Sequence, residues 1–242
     1  MLRPHYAHIV EHGARLGHAL GHPQVTVAEF GVAGGRGLLA LEALADRIGR
    51  RGGVDIRVVG FDLGTGLPEP EDYRDLPYHW KSGFYAMDED RLRAMLHEAE
   101  IRIGDLSETI PQFVDDAEAP VAAVSIDVDY FSSTVKALEL FRAAPERLLP
   151  RVLMYFDDVV GGPIELYGEF AGELAAIGEF NETSEVRKIH RVRYLDSRTL
   201  RREWHGQVFA CHVFDHPDYA TFVSDDAQNL PLGRLSRWVP HS

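Results

Sequence analysis

Val25-Thr-Val-Ala-Glu-Phe-Gly-Val-Ala-Gly-Gly-Arg-Gly37 is the stretch of sequence that decides the fold. It begins with apolar and β-branched residues and ends in a glycine cluster, and a run of leucine and alanine, 38–45, follows without a gap. That order predicts a strand, a tight turn and a helix. Glycines in such a turn let the backbone approach a ligand closely, and the free N–H groups that open the helix favour an electronegative group. The stretch therefore predicts a site for a nucleotide-like cofactor.

The residues of the turn indicate which cofactor. A dinucleotide site needs the pattern G-x-G-x-x-G, whereas Ala33 stands at the second required glycine and weakens the case for NAD. Glu29, Gly31, Ala33 and Gly35 instead resemble motif I of the class I S-adenosylmethionine (SAM) methyltransferases. The resemblance implies that these four residues bind SAM, with Glu29 facing its methionine part. A glycine-rich corner without a ligand is the alternative, because such turns recur in α/β proteins.

The next two strand ends predict the rest of the cofactor site. A second apolar run, 54–62, ends in Asp62, and a carboxylate at that place in a βαβ unit can accept two hydrogen bonds from a ribose diol. We expect Asp62 to bind the ribose, with Leu63 beside it; the alternative is a carboxylate that caps a turn. The methyltransferase resemblance also implies that the adenine lies at the end of the third strand, 101–103, where Gly104 and Asp105 follow.

Acidic residues recur at the ends of two further predicted strands, 121–126 and 151–156. The first is followed by Asp127 and Asp129, and the second by Asp157 and Asp158. Adjacent parallel strands end at the same edge of a sheet, so we expect these carboxylates to converge. A pair of like charges about 4 Å apart costs roughly 4 kcal/mol at an effective dielectric near 20, so convergence implies a bound cation or a raised pKa. An all-oxygen site suits Mg²⁺. A helix-turn cap and solvated loop acids are the alternative.

The motifs together resemble one family. Their order along the chain is that of the macrocin-type, Mg²⁺-dependent sugar O-methyltransferases: Glu29-Phe-Gly31, Gly60-Phe-Asp62 with Gly66-Leu-Pro68, Asp127-Val-Asp129 with Ser133-Thr134, and Asp157-Asp158. The resemblance implies that Asp127, Asp157 and Asp158 hold Mg²⁺ and that Asp129 is the general base. Asp127 is also assigned to the cofactor site. The expected substrate is a small-molecule hydroxyl acceptor, a sugar or another natural product. The alternatives are an NAD-dependent oxidoreductase and a non-catalytic SAM-binding protein.

The order of elements predicts one α/β domain over residues 1–242. We expect a Rossmann-like class I methyltransferase fold, with a mostly parallel seven-stranded sheet, helices on both faces and a C-terminal antiparallel strand. An N-terminal helical segment, 1–24, is expected to dock on the sheet edge or cover the cofactor cleft. Residues 63–98, rich in glycine, proline and aromatics, are expected to form a lid. A helix is predicted over 135–149, and a tail, 216–242, is expected to wrap the domain or a partner subunit in a possible homo-oligomer.

Composition excludes several functions. The formal net charge is −13, which disfavours nucleic-acid binding because polyanions bind through lysine and arginine. The one basic cluster, 187–193 with 198–202, is predicted to be the solvated face of a strand and the loop after it. No segment is long and apolar enough to span a bilayer, and a signal peptide is not apparent. With a single cysteine, Cys211, we expect a soluble, cytoplasmic protein. Histidines such as His8, His12, His212 and His216 are predicted to be structural.

Overall fold

A computed structural model of the chain describes residues 3–224. It has seven strands in this part of the chain: β1 Gln24–Phe30, β2 Asp55–Asp62, β3 Glu100–Ile103, β4 Val121–Ile126, β5 Leu148–Phe156, β6 Arg187–Arg191 and β7 Val208–Val213. The α-helices within the same range are α1 Pro4–Ala19, α2 Arg36–Gly52, α3 Glu89–Met95, α4 Leu106–Asp116, α5 Phe131–Leu138 and α6 Gly172–Thr183. Residues 225–242, most of the predicted tail, lie outside the described residues. No helix between residues 3 and 224 has the length and apolarity needed to cross a membrane.

The strands form one sheet in the order β3-β2-β1-β4-β5-β7-β6. The first five are parallel, while β7 runs antiparallel to both β5 and β6. This confirms the predicted seven-stranded sheet with an antiparallel C-terminal strand. The chain order reverses between β1 and β4, and in open α/β sheets ligands bind at such a switch point, beyond the carboxyl ends of the strands. The fold therefore places a crevice beside the turn that follows β1.

Helices cover both faces of the sheet, as predicted. Alternate strand residues point to opposite faces, and β1 divides its side chains accordingly: Val27 packs with α1 and α2, whereas Ala28 and Phe30 pack with the side chains of α4, α5 and α6. Each face thus has its own apolar core. Glu29 has the same parity as Val27, so its side chain points toward α1 and α2.

Helix α1 lies on a face of the sheet, not at its edge. It packs over β4 and β5 and against α2. Gly13 makes the close approach possible, because a Cβ there would lie 2.7 Å from the carbonyl oxygen of Ala122 in β4. One of the two positions expected for the N-terminal segment, the sheet edge, is therefore wrong. The residue before α1, Arg3, lines the crevice, and the expected covering of the cofactor cleft stays a prediction.

The helix predicted over 135–149 is also wrong in its bounds. Helix α5 already begins at Phe131 and ends at Leu138, and short 3₁₀ turns then lead into β5 at Leu148. Pro145 opens the second of these turns, since its ring and missing N–H are tolerated only in the first turn of a helix. The strand is longer at its start than the apolar pattern indicated.

The long connection 63–98 has little regular structure apart from a 3₁₀ turn and α3. Asp75, which is fully buried, anchors it to the main domain. One carboxylate oxygen of Asp75 accepts a hydrogen bond from the backbone N–H of Ser132 at 2.8 Å, and the other accepts one from the Ser132 hydroxyl at 2.9 Å. This fixes the insert against the start of α5, next to the carboxyl ends of β4 and β5.

Candidate functional site

Four strand ends are aligned beside the crevice by backbone hydrogen bonds. The N–H of Gly31 donates to the carbonyl of Phe61, and that of Asp127 donates to Phe30, both at 2.9 Å. The N–H of Asp157 donates to Ile126 at 3.0 Å. Each bond continues the sheet by one residue past the strand, so the residues that follow β1, β4 and β5 begin at one level. The predicted convergence of the strand-end residues is thereby achieved.

The glycine turn is shaped by close backbone contacts. Gly31 has φ +85°, and a Cβ on it would lie 1.7 Å from the carbonyl oxygen of Asp127. Gly35 (φ +78°) precedes the first residue of α2. Ala33, at the position where a dinucleotide site needs glycine, adopts φ +46° although it carries a side chain, a conformation that few non-glycine residues adopt. The turn leaves an open cradle next to Glu29.

Glu29 is buried within this cradle, with 1% of its surface exposed. The hydroxyl of Tyr6 in α1 donates a hydrogen bond to its Oε1 at 2.7 Å. Its Oε2 has no hydrogen-bond partner among the described residues. Burial raises the pKa of Glu29 to about 7, although the bond from Tyr6 and the charge of Arg3 act in the opposite direction. A buried carboxylate with one unpaired oxygen is suited to bind a cationic ligand group.

The raised pKa of Glu29 gives a test in the unliganded protein. The folded-state pKa of Glu29 exceeds the usual 4.5. The contribution of Glu29 to the free energy of unfolding is therefore fully present below pH 4.5 and is lost as the pH rises through 7. We expect the stability difference between the wild type and Glu29→Gln to change by about 2.5 kcal/mol between pH 5 and pH 8, with the wild type relatively more stable at pH 5. Urea unfolding at both pH values measures this. An equal difference at both would contradict the assignment.

The crevice beside the glycine turn forms a cavity, and Asp62 is one of the residues that line it. Asp62 also holds the glycine turn in place. Its Oδ2 accepts hydrogen bonds from the backbone N–H groups of Val32 and Ala33, both at 2.8 Å, and its Oδ1 accepts one from Gly64 at 2.6 Å. The turn-capping alternative is therefore realised. A carboxylate has about four acceptor positions, so the ribose contact predicted for Asp62 is compatible with this arrangement and stays a prediction.

Asp105, like Asp62, both lines the cavity and stabilises the local backbone. It lines the cavity with Leu63 and Gly104. It also caps α4, with Oδ1 accepting from the backbone N–H of Ser107 at 2.8 Å and from its hydroxyl at 2.7 Å. Lys136 Nζ donates to Oδ2 at 3.0 Å. The hydrogen bonds from Ser107, followed by the hydrogen bond and the charge of Lys136, lower the pKa of Asp105 to about 2. The predicted adenine contact stays untested.

Next to the glycine turn, beyond the ends of β4 and β5, the cavity is lined by four further acids: Asp127, Asp129, Asp157 and Asp158. Burial, and then the neighbouring carboxylates, raise the pKa of Asp129 to about 8 and that of Asp127 well above its usual range. Burial raises the pKa of Asp158 to about 6, and its Oδ2 has no partner in the described part of the chain. Asp129 is held in the left-handed region, with φ +62°. Such clustered, strained and mutually repelling acids are typical of functional sites.

Three residues that the sequence did not single out hold these acids. The hydroxyl of Tyr155 donates to Asp157 at 2.5 Å, and that of Tyr167 donates to Asp158 at 2.7 Å. Glu173, fully buried at the start of α6, accepts the backbone N–H of Asp158 at 3.0 Å. Its other oxygen is unpaired among the described residues, and burial followed by the charge of Asp158 raises its pKa well above the usual range.

The acids meet at one cavity, but they do not form a finished metal centre. Within residues 3–224, no three histidine, cysteine, aspartate or glutamate side chains are placed to hold a metal ion. Magnesium binding by Asp127, Asp157 and Asp158 therefore stays a prediction.

The cavity has a volume of about 650 Å³ and runs from the glycine turn to the acids. The insert 63–98 contributes Trp80 and Tyr85 to its wall. The indole N–H of Trp80 is buried without a partner among the described residues. Tyr85, like Asp129, has a left-handed backbone, with φ +64°, and the charges of Asp129 and Asp158 contribute, after burial, to a raised pKa of its phenol.

The basic cluster at 187–202 is not simply a solvated face. Arg187 is buried, forms an ion pair with Asp215 at 3.0 Å and also donates to the carbonyl oxygens of Phe141 and Ala143. It lies at the start of β6, an edge strand of the sheet, and it does not line the cavity. The prediction that this cluster is a solvated face is wrong for Arg187.

The histidines named from the sequence have protein partners. His8 Nε2 lies 2.8 Å from the hydroxyl of Tyr194, and His212 Nε2 lies 2.9 Å from Nε2 of His190. His216 Nδ1 accepts the N–H of Asp218 at 2.9 Å, and His12 Nδ1 contacts the carbonyl oxygen of His8 at 2.8 Å. Their predicted structural role agrees with these contacts.

Comparisons with known proteins agree with this description of the fold. No protein-family model matches the chain, and no curated protein matches it. Among solved structures, a crystal structure of CalS11, described as a calicheamicin methyltransferase, matches with a TM-score of 0.54 and 21% identity, over 85% of this chain and 78% of that one. A second structure, the apo form of CalS11, described as a TDP-rhamnose 3′-O-methyltransferase, gives a TM-score of 0.49 and 18% identity over 85% and 78%. The sheet order and the first of these matches show that the chain has the Rossmann-like fold of the class I methyltransferases.

Proposed function

We propose that the chain is a SAM-dependent O-methyltransferase that acts on a hydroxyl group of a small molecule. One observation carries the proposal: a single cavity at the switch point between β1 and β4 is lined both by the glycine turn with buried Glu29 and by the four acids Asp127, Asp129, Asp157 and Asp158. The first part is suited to a nucleoside cofactor with a cationic group. The second is suited to a hydroxyl that must lose its proton.

Methyl transfer to oxygen needs alignment and a proton acceptor. The acceptor oxygen attacks the methyl carbon in line with the bond that breaks, so binding both molecules in one cavity supplies much of the rate acceleration. Asp129 is the general base in this proposal. It is buried just past the carboxyl end of β4. Burial and then the neighbouring acids raise its pKa to about 8, close to the pH at which a base is most effective.

The proposed metal is Mg²⁺, bound by the acids that surround Asp129. Asp158 has a buried oxygen without a partner among the described residues, and mutual repulsion of three or four carboxylates is relieved by a hard cation with oxygen ligands. Asp127, Asp157 and Asp158 would hold the ion, with Tyr155 and Tyr167 orienting two of them. When bound, such an ion lowers the pKa of a coordinated hydroxyl.

The mouth of the cavity favours an acceptor with an apolar part, such as a glycosylated natural product. Exposed apolar side chains are concentrated in the two segments beside it, 73–85 and 160–170: Tyr73, Tyr78, Phe84, Tyr85, Val160, Ile164, Leu166 and Phe170. The two segments are joined by a hydrogen bond from the Tyr78 hydroxyl to the carbonyl of Glu165 at 2.9 Å. Clustered exposed apolar groups beside a polar cavity are typical of binding surfaces.

Calorimetric titration tests the proposal. We expect S-adenosylhomocysteine (SAH) to bind the purified protein, NAD to give no heat, and Mg²⁺ to give a separate signal that disappears in Asp157→Asn. Binding of NAD alone would favour an oxidoreductase and overturn the proposal. SAH binding without turnover on any hydroxyl acceptor would favour a non-catalytic SAM-binding protein.

A further inference from the structure

The residue that precedes α1 brings a cation to the part of the cavity beside Glu29 and the glycine turn. Arg3, the residue before α1, lines the cavity together with Glu29 and the glycine turn. Its guanidinium lies 4.9 Å from the centre of the Tyr6 ring, the same tyrosine that donates to Glu29. Among residues 3–224 the guanidinium forms no hydrogen bond or ion pair. A positive charge that lines a cavity and has no ionic partner among the described residues is available to an anionic ligand group.

Arg3 and Glu29 carry opposite charges, and each has hydrogen-bonding groups that no described residue engages. Glu29 Oε2 is buried and has no partner in the described residues. The guanidinium is near enough to Glu29 to lower its pKa, against the larger effect of burial, yet the two side chains do not form a salt bridge within 4.0 Å. The cavity is therefore lined by a buried acceptor without a partner and by guanidinium donors that no described residue engages, the two groups that an α-amino acid zwitterion requires.

We infer that Arg3 binds the α-carboxylate of the cofactor's amino acid part, while Glu29 binds its α-ammonium group. This rests on the proposed function, which supplies the ligand class, and it adds a residue from outside the glycine motif. Helix α1 thus belongs to the binding site, with Tyr6 orienting Glu29 and Arg3 completing the charge pair. The residues predicted to bind the nucleoside, at the ends of β2 and β3, are not part of this proposed subsite.

Arg36 is the rival for the same role. It also lines the cavity, at the first residue of α2, but it is exposed and is not among the charges that act on Glu29. Lys136, a further cation at the cavity wall, is already paired with Asp105 at 3.0 Å. Because Arg3 is the cation near Glu29, we assign the carboxylate-binding role to Arg3 and not to Arg36 or Lys136.

Calorimetry with three ligands on the full chain tests the inference. The probes are SAH, its decarboxylated analogue, which keeps the ammonium group, and 5′-methylthioadenosine, which lacks both charged groups. In Arg3→Gln we expect SAH to bind about tenfold more weakly, the size of a lost hydrogen bond to a charged group, with no change for the other two ligands. Arg3→Lys should recover part of the loss. In Glu29→Gln, both ammonium-bearing ligands should weaken and methylthioadenosine should not.

The outcomes separate this subsite from the proposed function. If the wild type bound none of the three ligands, the proposed function would fail and the subsite with it. If the wild type bound all three but Arg3→Gln weakened them equally, or not at all, the Arg3 assignment alone would be wrong. A tenfold loss of SAH affinity in Arg36→Gln, with Arg3→Gln unchanged, would transfer the role to Arg36. Thermal unfolding of each variant checks that the fold is retained.

Discussion

Asp129→Asn is expected to lower kcat for methyl transfer by about 100-fold or more, because general-base catalysis contributes roughly that much. Asparagine has nearly the same size but cannot accept the hydroxyl proton. It also tolerates the left-handed backbone that Asp129 adopts, with φ +62°, so the strand end should keep its shape. SAH affinity should stay within a factor of about two, since binding of the cofactor analogue does not involve the base.

The measurement is SAH production from SAM, using the acceptor that gives the highest wild-type rate in a panel of sugars, glycosides and catechols. Asp115→Asn is the matched control, since Asp115 is exposed near the end of α4, away from the cavity. It should leave kcat unchanged. A kcat for Asp129→Asn within about threefold of the wild type would show that another group accepts the proton.

The sequence was sufficient for the parts of the site that depend on strand order. Asp62, Asp105, Asp127 and Asp157 each follow an apolar run, and parallel strands must end at one edge, so their convergence could be inferred without coordinates. Tyr155 could have been found in the same way. It lies two residues before Asp157 on β5, and residues at that spacing point to the same side of a strand.

The remaining site residues depend on contacts that sequence periodicity does not encode. Arg3 and Tyr6 reach the site because α1 packs on the sheet face, which required the close approach of Gly13 to Ala122. Tyr167 comes from the irregular segment after β5 and Glu173 from the first turn of α6, and both reach the site through hydrogen bonds with Asp158. The early end of α5 has a similar cause. Leu140 and Phe141 are fully buried in the core, but they belong to a 3₁₀ turn and not to α5. Their apolar character alone does not distinguish a 3₁₀ turn from a longer α-helix.

Gly31→Ala is expected to have the largest effect on the folded state. A Cβ at this position would lie 1.7 Å from the carbonyl oxygen of Asp127 and 2.6 Å from its carbonyl carbon, and φ is +85°. No side-chain rotation relieves a contact between a Cβ and a backbone, so the ends of β1 and β4 would have to separate. We expect a loss of about 4 kcal/mol in the free energy of unfolding, at the severe end for single substitutions, together with loss of SAH binding.

Gly34→Ala is the control that separates this contact from a general need for glycine in the turn. A Cβ on Gly34 would meet nothing within 4 Å, and its φ is not positive. Alanine there should therefore be neutral or stabilising by a few tenths of a kcal/mol, because it restricts the unfolded chain. Urea unfolding and SAH titration of both variants measure the difference. Equal losses in the two would mean that the turn needs flexibility rather than close approach, whereas loss only in Gly31→Ala would locate the requirement where β1 meets β4, at the junction between the cofactor turn and the acids.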